Sequence, residues 1–312
     1  MKRYYLAPLK GITTNIFRNA YHRYFYPMDK YFTPFLVPHS KKGFSAKEKR
    51  EILPENNEGL YLVPQIMSNH AEECLKTIGK LQVYDYKEIN LNMGCPSKTV
   101  VSKGRGSGFL AFPEELDRFL DEVFEGVSGK NLKISVKTRI GKDDPEEFYR
   151  LLEIYNQYPL EELIIHPRVQ KDFYKNEPNL EIFKYALENS KNPLCYNGDI
   201  FSTRRYEEVS GFFPEEDTFM LGRGILENPS LLNEIKGEKE GKMKLMRLFH
   251  DRIYEDYRAL NMGDKNVLFK MKEIWCYMGK SFPGCEKTLK KIRKAEHLNR
   301  YEAAIEELEW KA

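Results

Sequence analysis

The sequence predicts a parallel (β/α)8 TIM barrel followed by a small all-helical C-terminal domain. Eight short apolar runs rich in β-branched and aromatic residues recur along the first three quarters of the 312 residues. Each run ends in turn residues, and an amphipathic helical pattern follows most of them. Repeated alternation of strand and helix is typical of a parallel sheet covered by helices, and eight repeats close such a sheet into a barrel.

The eight predicted strands cover residues 3–8, 30–38, 60–66, 88–94, 133–139, 162–168, 193–199 and 218–224. Clear helical patterns lie between most of them, for example at 113–127 and 179–190. The second connection, 39–59, is polar, and we expect it to contain little helix.

The strand signals stop near residue 235. The polar segment KGEKEGK (236–242) contains two glycines and predicts a linker, and the helical pattern from Met243 to Trp310 predicts three or four helices. We therefore place a barrel domain in residues 1–237 and a helical domain in residues 242–312.

Composition excludes several classes of protein. There is no run of about 18 apolar residues, so no membrane span is expected. The N-terminus lacks the apolar region typical of a signal peptide. The cysteines are odd in number and form no CxxC motif, which argues against a disulfide framework and a zinc ribbon: Cys74, Cys95, Cys195, Cys276 and Cys285. We expect a cytoplasmic protein without a structural metal, and a monomer.

The positive charge is concentrated near the C-terminus. Residues 240–300 hold fifteen Lys and Arg against eight Asp and Glu, whereas residues 1–239 hold thirty-four against thirty-five. A basic block on a neutral body indicates a polyanionic partner, although a solvated helix face would carry the same charges.

Polar side chains follow seven of the eight predicted strands. Active sites of such barrels lie where the strands end, so we expect these side chains to share one rim. They are Lys10, Gln65, Asn92 with Cys95, Lys137 with Arg139, His166 with Arg168, Asn197 with Asp199, and Arg223.

Cys95 stands in a Gly-Cys-Pro turn at one of these strand ends. A thiol with the ordinary pKa of about 8.5 is mostly protonated at neutral pH and can donate a proton as a general acid. Nucleophilic catalysis with His166 as a distant partner stays open, and so does a packing role for the cysteine.

The loop KGRGSG (103–108) matches neither the dinucleotide fingerprint nor the P-loop. Its glycines indicate either a mobile lid or a flexible surface loop. As a lid, it would bring Lys98, Lys103 and Arg105 to phosphates.

Two further turns, NGD (197–199) and LGRG (221–224), follow the seventh and eighth predicted strands. Phosphate sites of these barrels are commonly built there, because glycine backbone N–H groups can approach an anion and Arg223 adds a charged fork. Lys137 at the rim also needs an anionic partner, which a reduced flavin would supply.

Eight motifs of the barrel region and one of the helical region, in their order and at their intervals along the chain, resemble those of the dihydrouridine synthases. The motifs are LAPLKGITTNIFR, PQIMS, INLNMGCPSKTV, KGRGSGFL, SVKTRIG, IIHPR, YNGDI and LGRGILENP, with LFKMKEIWCYMG in the helical region. The family usually has Met where this chain has Leu9, a small or acidic residue where it has Lys10, and a Gly-Ala type of pair where it has Ser107-Gly108.

The resemblance implies an FMN-dependent enzyme that reduces a uridine in tRNA to 5,6-dihydrouridine, with NADPH as the electron donor. Hydride would pass from flavin N5 to uracil C6, and the Cys95 thiol would protonate C5. The flavin contacts it implies are Pro8, Leu9, Lys10, Gln65, Lys137, His166, Asn197, Gly198, Asp199, Gly222 and Arg223.

The resemblance places the uracil on Asn92. We assign further RNA contacts to the rim and loop cations Lys98, Lys103, Arg105, Arg139 and Arg168, and to the basic segment with Lys287, Lys290, Lys291, Arg293 and Lys294. The base must leave its stack to reach the pocket. The modified position is not specified by the sequence, and ribosomal RNA stays open as a substrate.

Two alternatives stay open. A flavin barrel acting on a small molecule, similar to dihydroorotate dehydrogenase, would explain the strand-end motifs but not the basic helices. A non-catalytic RNA-binding protein would explain the basic helices but not the strand-end motifs.

Overall fold

The computed structural model describes residues 2–38, 43–238 and 240–310. Within them, nine short strands form one parallel sheet in the order β3-β2-β1-β9-β8-β7-β6-β5-β4. The strands are β1 Arg3–Leu6, β2 Lys30–Phe32, β3 Leu62–Val63, β4 Gln65–Ile66, β5 Glu88–Met93, β6 Lys133–Gly141, β7 Leu163–Val169, β8 Leu194–Tyr196 and β9 Thr218–Leu221.

Strands β3 and β4 are two halves of one barrel strand. Pro64 separates them because proline has no N–H to donate to a ladder. The Pro64 carbonyl still accepts a hydrogen bond from Asn90 N at 2.9 Å, so the sheet continues across the break. The predicted eight-stranded barrel is therefore confirmed, with every strand at its predicted place.

Helices surround the sheet and continue beyond it. They are α1 Asn15–Tyr24, α2 Ala46–Ile52, α3 Ala71–Leu81, α4 Lys98–Val101, α5 Pro113–Val127, α6 Glu147–Tyr155, α7 Leu180–Asn189, α8 Thr203–Phe212, α9 Arg223–Glu227, α10 Leu231–Ile235, α11 Lys242–Ala259, α12 Asp264–Met278, α13 Glu286–Lys294 and α14 Leu298–Glu306. Short 3-10 helices cover Pro54–Asn56, Gln82–Tyr84, Gly106–Ala111, Gln170–Asp172 and Gly279–Ser281.

Helix α5 shows why the predicted patterns fold as they do. Pro113 begins the helix, where its missing N–H costs nothing, and two glutamates occupy the first turn. Five of its apolar residues recur at helical spacing and are buried: Leu116, Phe119, Leu120, Val123 and Val127.

The expectation of little helix in the second connection is wrong over part of its length. Helix α2 begins at a capping box in which Ser45 and Glu48 satisfy each other's backbone N–H groups at 3.2 and 2.8 Å. This pairing compensates for the polar composition of the segment. Residues 39–42 lie outside the described residues.

The C-terminal helices pack directly on the barrel. Phe249 of α11 meets Phe17 and Phe25, with ring centroids 5.2 and 5.3 Å apart. The Tyr257 hydroxyl lies 3.0 Å from Thr14 Oγ1. One continuous cluster of buried apolar side chains therefore spans both parts. The predicted linker runs between α10 and α11, although its Lys239 lies outside the described residues, as do residues 311–312.

Candidate active site

A cleft opens where β1 and β6–β9 end, on the rim that the sequence predicts. It brings together nine predicted residues: Pro8, Leu9, Lys137, Arg139, His166, Asn197, Asp199, Gly222 and Arg223. Sequence reasoning missed two aromatic side chains in its wall, Tyr174 and Phe201. A tyrosine or phenylalanine in a loop gives no sequence signal of its own, and only the fold places these two over the strand ends.

Lys137 projects from β6 into this cleft. Burial, and to a lesser degree the nearby Arg139, lowers the pKa of Lys137 to about 8. Within the described residues its ammonium makes no ion pair and no hydrogen bond. A cation in this position fits an anionic ligand bound in the cleft.

His166 on β7 is held as a neutral imidazole. Its Nδ1 donates to the Asn197 carbonyl oxygen at 2.6 Å, and its Nε2 accepts from Arg168 at 3.2 Å. Burial, reinforced by Arg139, Lys137 and Arg168, holds the pKa of His166 well below its usual value. The ring is therefore a poor candidate for the base of a thiolate nucleophile.

Asp199 joins two arginines at the floor of the cleft. Arg168 forms a bidentate ion pair with the Asp199 carboxylate, in which Nη1 lies 3.0 Å from Oδ1. Arg223 pairs with the same carboxylate. The guanidinium of Arg223 also stacks on Tyr174 at 4.2 Å from the ring centroid. Asp199 takes a positive φ of 30°, a backbone conformation that few residues other than glycine adopt. Two cations share one carboxylate here, and this leaves a positive charge for a phosphate.

The structure does not support RNA contact by Arg139 or Arg168. Both are buried, and their donors are used inside the protein. Arg139 donates to the carbonyl oxygens of Gly94, Val169 and Phe173 at 3.1, 2.9 and 2.6 Å. It therefore ties the turn after β5 to the end of β7 and to the segment that follows β7. The sequence shows a charge at a strand end but not whether nearby carbonyl groups already satisfy it.

Cys95 follows β5 in a turn that Asn92 holds. Asn92 Oδ1 accepts from the backbone N–H groups of Gly94 and Cys95 at 3.2 and 3.0 Å. Gly94 lies in the cleft wall, and the Cys95 side chain is partly exposed. A partly exposed thiol beside the cleft can meet a substrate placed there.

The glycine-rich loop (103–108) packs closely against the Cys95 turn and helix α4, which does not fit a mobile lid. A Cβ on Gly106, whose φ is +56°, would lie 2.7 Å from the Cys95 carbonyl oxygen, and one on Gly108 would lie 2.8 Å from that of Val101. Ser107 donates to the Cys95 carbonyl through its backbone N–H and its hydroxyl. These glycines therefore serve close packing behind Cys95.

The cations of this segment divide into two kinds. Lys98 and Lys103 are exposed beside the Cys95 turn. Arg105 is partly buried, where it donates to Asn69 Oδ1 at 3.1 Å and lies 3.6 Å from Glu73. The two lysines remain available to an external anion.

Three of the predicted flavin contacts lie outside the cleft wall. Lys10 is exposed, with its ammonium 4.8 Å from the centre of the Phe35 ring. Gln65 is fully buried behind Asn92, and it accepts from Asn92 Nδ2 at 2.7 Å. A Cβ on Gly198 would lie 2.7 Å from the Tyr196 hydroxyl, so this glycine allows close packing at the turn.

A basic groove lies between α13 and α14. Its lining includes Lys287, Lys290, Lys291 and Lys294 at helical spacing, together with Arg300. Lys291 is paired with Glu307 at 2.7 Å. Arg293 is exposed but does not line the groove. The structure thus separates the five predicted basic residues into four on one groove and one elsewhere.

Sequence comparison decides the family. The sequence profile described as "Dihydrouridine synthase (Dus)" matches residues 5–309, which is nearly the whole chain. The chain belongs to the dihydrouridine synthase family. It is 28% identical over 263 residues to a probable tRNA-dihydrouridine synthase of Staphylococcus aureus strain COL, covering 81% of this chain and 77% of that protein. It is 29% identical over 230 residues to tRNA-dihydrouridine synthase B of Pasteurella multocida, covering 73% and 67%.

Solved structures confirm the fold of this dihydrouridine synthase family member. Morphinone reductase in complex with tetrahydroNAD superposes with a TM-score of 0.52 at 12% identity, covering 76% of this chain and 87% of that one. Among the described residues, none of the helices combines the length and apolar character that a membrane span requires. Those residues also contain no group of three or more His, Cys, Asp or Glu side chains arranged to hold a metal ion.

Proposed function

We infer that this protein reduces a uridine in tRNA to 5,6-dihydrouridine. Family membership supports the reaction, and the names of its relatives support tRNA as the substrate. The observation that carries the proposal is the meeting, at one rim, of a partly exposed Cys95 thiol with a cleft in which Lys137 has no partner among the described residues.

We propose that FMN binds in this cleft. Arg223 and the backbone at Gly222 would hold its phosphate, Asn197 and Asp199 would face its ribityl chain, and Lys137 and His166 would contact its ring. Lys137 supplies the positive charge that an anionic ring needs, and His166 stays neutral because burial, reinforced by three nearby cations, lowers its pKa. Bound FMN would supply the hydride chemistry, with NADPH as the proposed electron donor.

The protein's own task is to position the uracil and to supply a proton. Asn92 already uses its oxygen on the Cys95 turn and one N–H on Gln65, which leaves one amide N–H for a uracil carbonyl. The Cys95 thiol would donate its proton at C5 of the uracil ring. Because the turn is held from both sides, by Asn92 and by Ser107, the thiol would stay in place during the step.

The helical part would hold the RNA. The groove with Lys287, Lys290 and Lys294 would bind backbone phosphates, and Lys98 and Lys103 would contact the RNA beside the extruded base. We reassign Arg139 and Arg168 to building the cleft. We propose that the protein acts in the cytoplasm as a monomer.

The decisive experiment combines purified protein, FMN, NADPH and tRNA from a strain that lacks dihydrouridine. Mass spectrometry of the digested tRNA should show a uridine gaining two mass units at a defined position. The absence of any reduced uridine, in a protein that carries flavin and oxidises NADPH, would refute the proposal.

A further inference from the structure

A row of buried polar side chains crosses the barrel interior and ends on the Cys95 turn. Glu88, Asn90 and Asn92 alternate along one face of β5, so all three point the same way. Gln65 of β4 and Ser135 of β6 both stand in register with Asn90. All five side chains are buried, four of them almost completely.

The row is continuous. From the Cys95 backbone N–H, the bonds run to Asn92 Oδ1 at 3.0 Å and from Asn92 Nδ2 to Gln65 Oε1 at 2.7 Å. They continue from Gln65 Nε2 to Asn90 Oδ1 at 2.8 Å and from Asn90 Nδ2 to Ser135 Oγ at 2.9 Å. The last bond runs from the Ser135 hydroxyl to Glu88 Oε1 at 2.7 Å.

Every bond in this row points in the same direction, and the two ends fix that direction. A carboxylate can only accept, and Glu88 is held by Lys30 at 2.8 Å. Ser135 therefore gives its single proton to Glu88 and must accept from Asn90. The backbone N–H groups at the other end can only donate, so Asn92 must present its oxygen to them. Neither Asn90, Gln65 nor Asn92 can turn its amide over without breaking two buried bonds.

We propose that Glu88, Ser135 and Asn90 are positioning residues for uridine reduction, which act through Gln65 and Asn92 on the Cys95 turn. They touch neither the cleft nor the Cys95 thiol. Their effect is to set which amide group Asn92 offers to the uracil and to hold the turn that carries the thiol. This inference rests on the proposed function, and it adds residues of the barrel interior to the machinery of the protonation step.

The test compares two variants that each lose one buried hydroxyl from β6. Ser135→Ala breaks the row. Thr138→Val is the matched control, because the Thr138 hydroxyl faces away from the row and bonds to the Arg139 carbonyl and the Tyr155 hydroxyl. Single-turnover kinetics would separate flavin reduction by NADPH from oxidation of the reduced flavin by tRNA. Alkylation of Cys95 by iodoacetamide, resolved by peptide mass spectrometry, gives a readout that needs no turnover.

In Ser135→Ala we expect flavin reduction and tRNA affinity to stay unchanged, while the tRNA-dependent step slows roughly 10- to 100-fold, the usual effect of misplacing a reacting group. We also expect faster Cys95 alkylation relative to Cys276 and Cys285 in the same sample. Thr138→Val should change neither. Equal effects in both variants, or no effect in either, would overturn the proposal.

The outcomes also separate this proposal from the proposed function. If wild-type protein reduces no uridine, the proposed function is refuted, and the buried row then has no uridine reduction to assist. If wild-type protein reduces uridine but Ser135→Ala has the same rate of the tRNA-dependent step and the same rate of Cys95 alkylation, only the positioning role of the row is refuted. Should Ser135→Ala not fold, Asn90→Ser breaks the next link while keeping a hydroxyl beside Ser135, and the same results are expected of it.

Discussion

At the scale of single residues, the candidate site is a set of charges that the chain balances only in part. Asp199 neutralises one of two arginines, His166 is kept uncharged, and Lys137 has no partner among the described residues. The sequence predicted these residues because each stands at a strand end. It could not assign Arg139, because its role depends on three carbonyl groups that lie 30 to 45 positions from it in the chain.

Lys137 leads to a prediction about pH. With its pKa lowered to about 8, Lys137 is charged below that pH in the flavin-free protein and loses its proton as the pH rises through it. The ring of reduced flavin is anionic at this pH and should restore the charge, so anaerobic binding of reduced FMN at about pH 9 should take up close to one proton. The flavin phosphate is already fully ionised there and takes up none. Calorimetry in two buffers of different ionisation enthalpy measures this uptake. Lys137→Met should abolish it, and equal uptake in that variant would contradict the assignment.

Cys95 leads to a prediction about one half-reaction. Cys95→Ala should bind FMN and accept electrons from NADPH at the normal rate, because the thiol takes no part in either. Oxidation of the reduced flavin by tRNA should slow roughly 10²- to 10⁴-fold, the usual effect of removing a positioned acid. Cys95→Ser should restore little, since a serine hydroxyl is a far weaker acid. Stopped-flow absorbance follows both steps, and normal tRNA-dependent oxidation in the alanine variant would exclude the thiol as the acid.

At the scale of elements, runs rich in apolar residues predicted the strands well, because a parallel strand buried on both faces consists largely of apolar residues. Helix α2 escaped prediction because a capping box stabilises it, and its apolar content is low. The groove between α13 and α14 escaped too. Charge counts predict a basic segment, but only the packing of α14 shows that four of the lysines face Arg300 while Arg293 does not.

The groove predicts unequal effects of two similar substitutions on α13. Lys290→Glu should weaken tRNA binding and lower the slope of log K against log salt by about 1, as expected for a lost phosphate contact. Arg293→Glu makes the same charge change outside the groove and should alter both quantities less. Fluorescence titrations over a range of salt concentrations measure them. Equal losses of tRNA affinity in the two variants would show that only the overall charge matters. Flavin reduction by NADPH is the control and should be unchanged in both.

At the scale of the whole molecule, the barrel and the C-terminal helices share one apolar core. The sequence predicted two domains from the polar segment 236–242. It could not show that Phe17, Phe25 and Phe249 meet, because such contacts join residues more than 200 positions apart. The shared core holds the basic groove in a fixed relation to the cleft, so the distance between the groove and the Cys95 thiol is set by packing.

Such a shared core predicts cooperative unfolding. Both tryptophans, Trp275 and Trp310, lie in the C-terminal part, so their fluorescence reports on that part, whereas release of bound flavin reports on the barrel. The two signals should change together in a urea titration. Phe249→Ala should lower the free energy of unfolding by about 3–5 kcal/mol and move both transitions equally.

Phe269→Ala is the matched control for this experiment, because the Phe269 side chain is 59% exposed on α12. Its removal should change the free energy of unfolding by less than about 0.5 kcal/mol. If tryptophan fluorescence changed at a lower urea concentration than flavin release, the helices would be a separately folding unit. The groove could then move relative to the cleft, and fixed packing could not be what brings the RNA to Cys95.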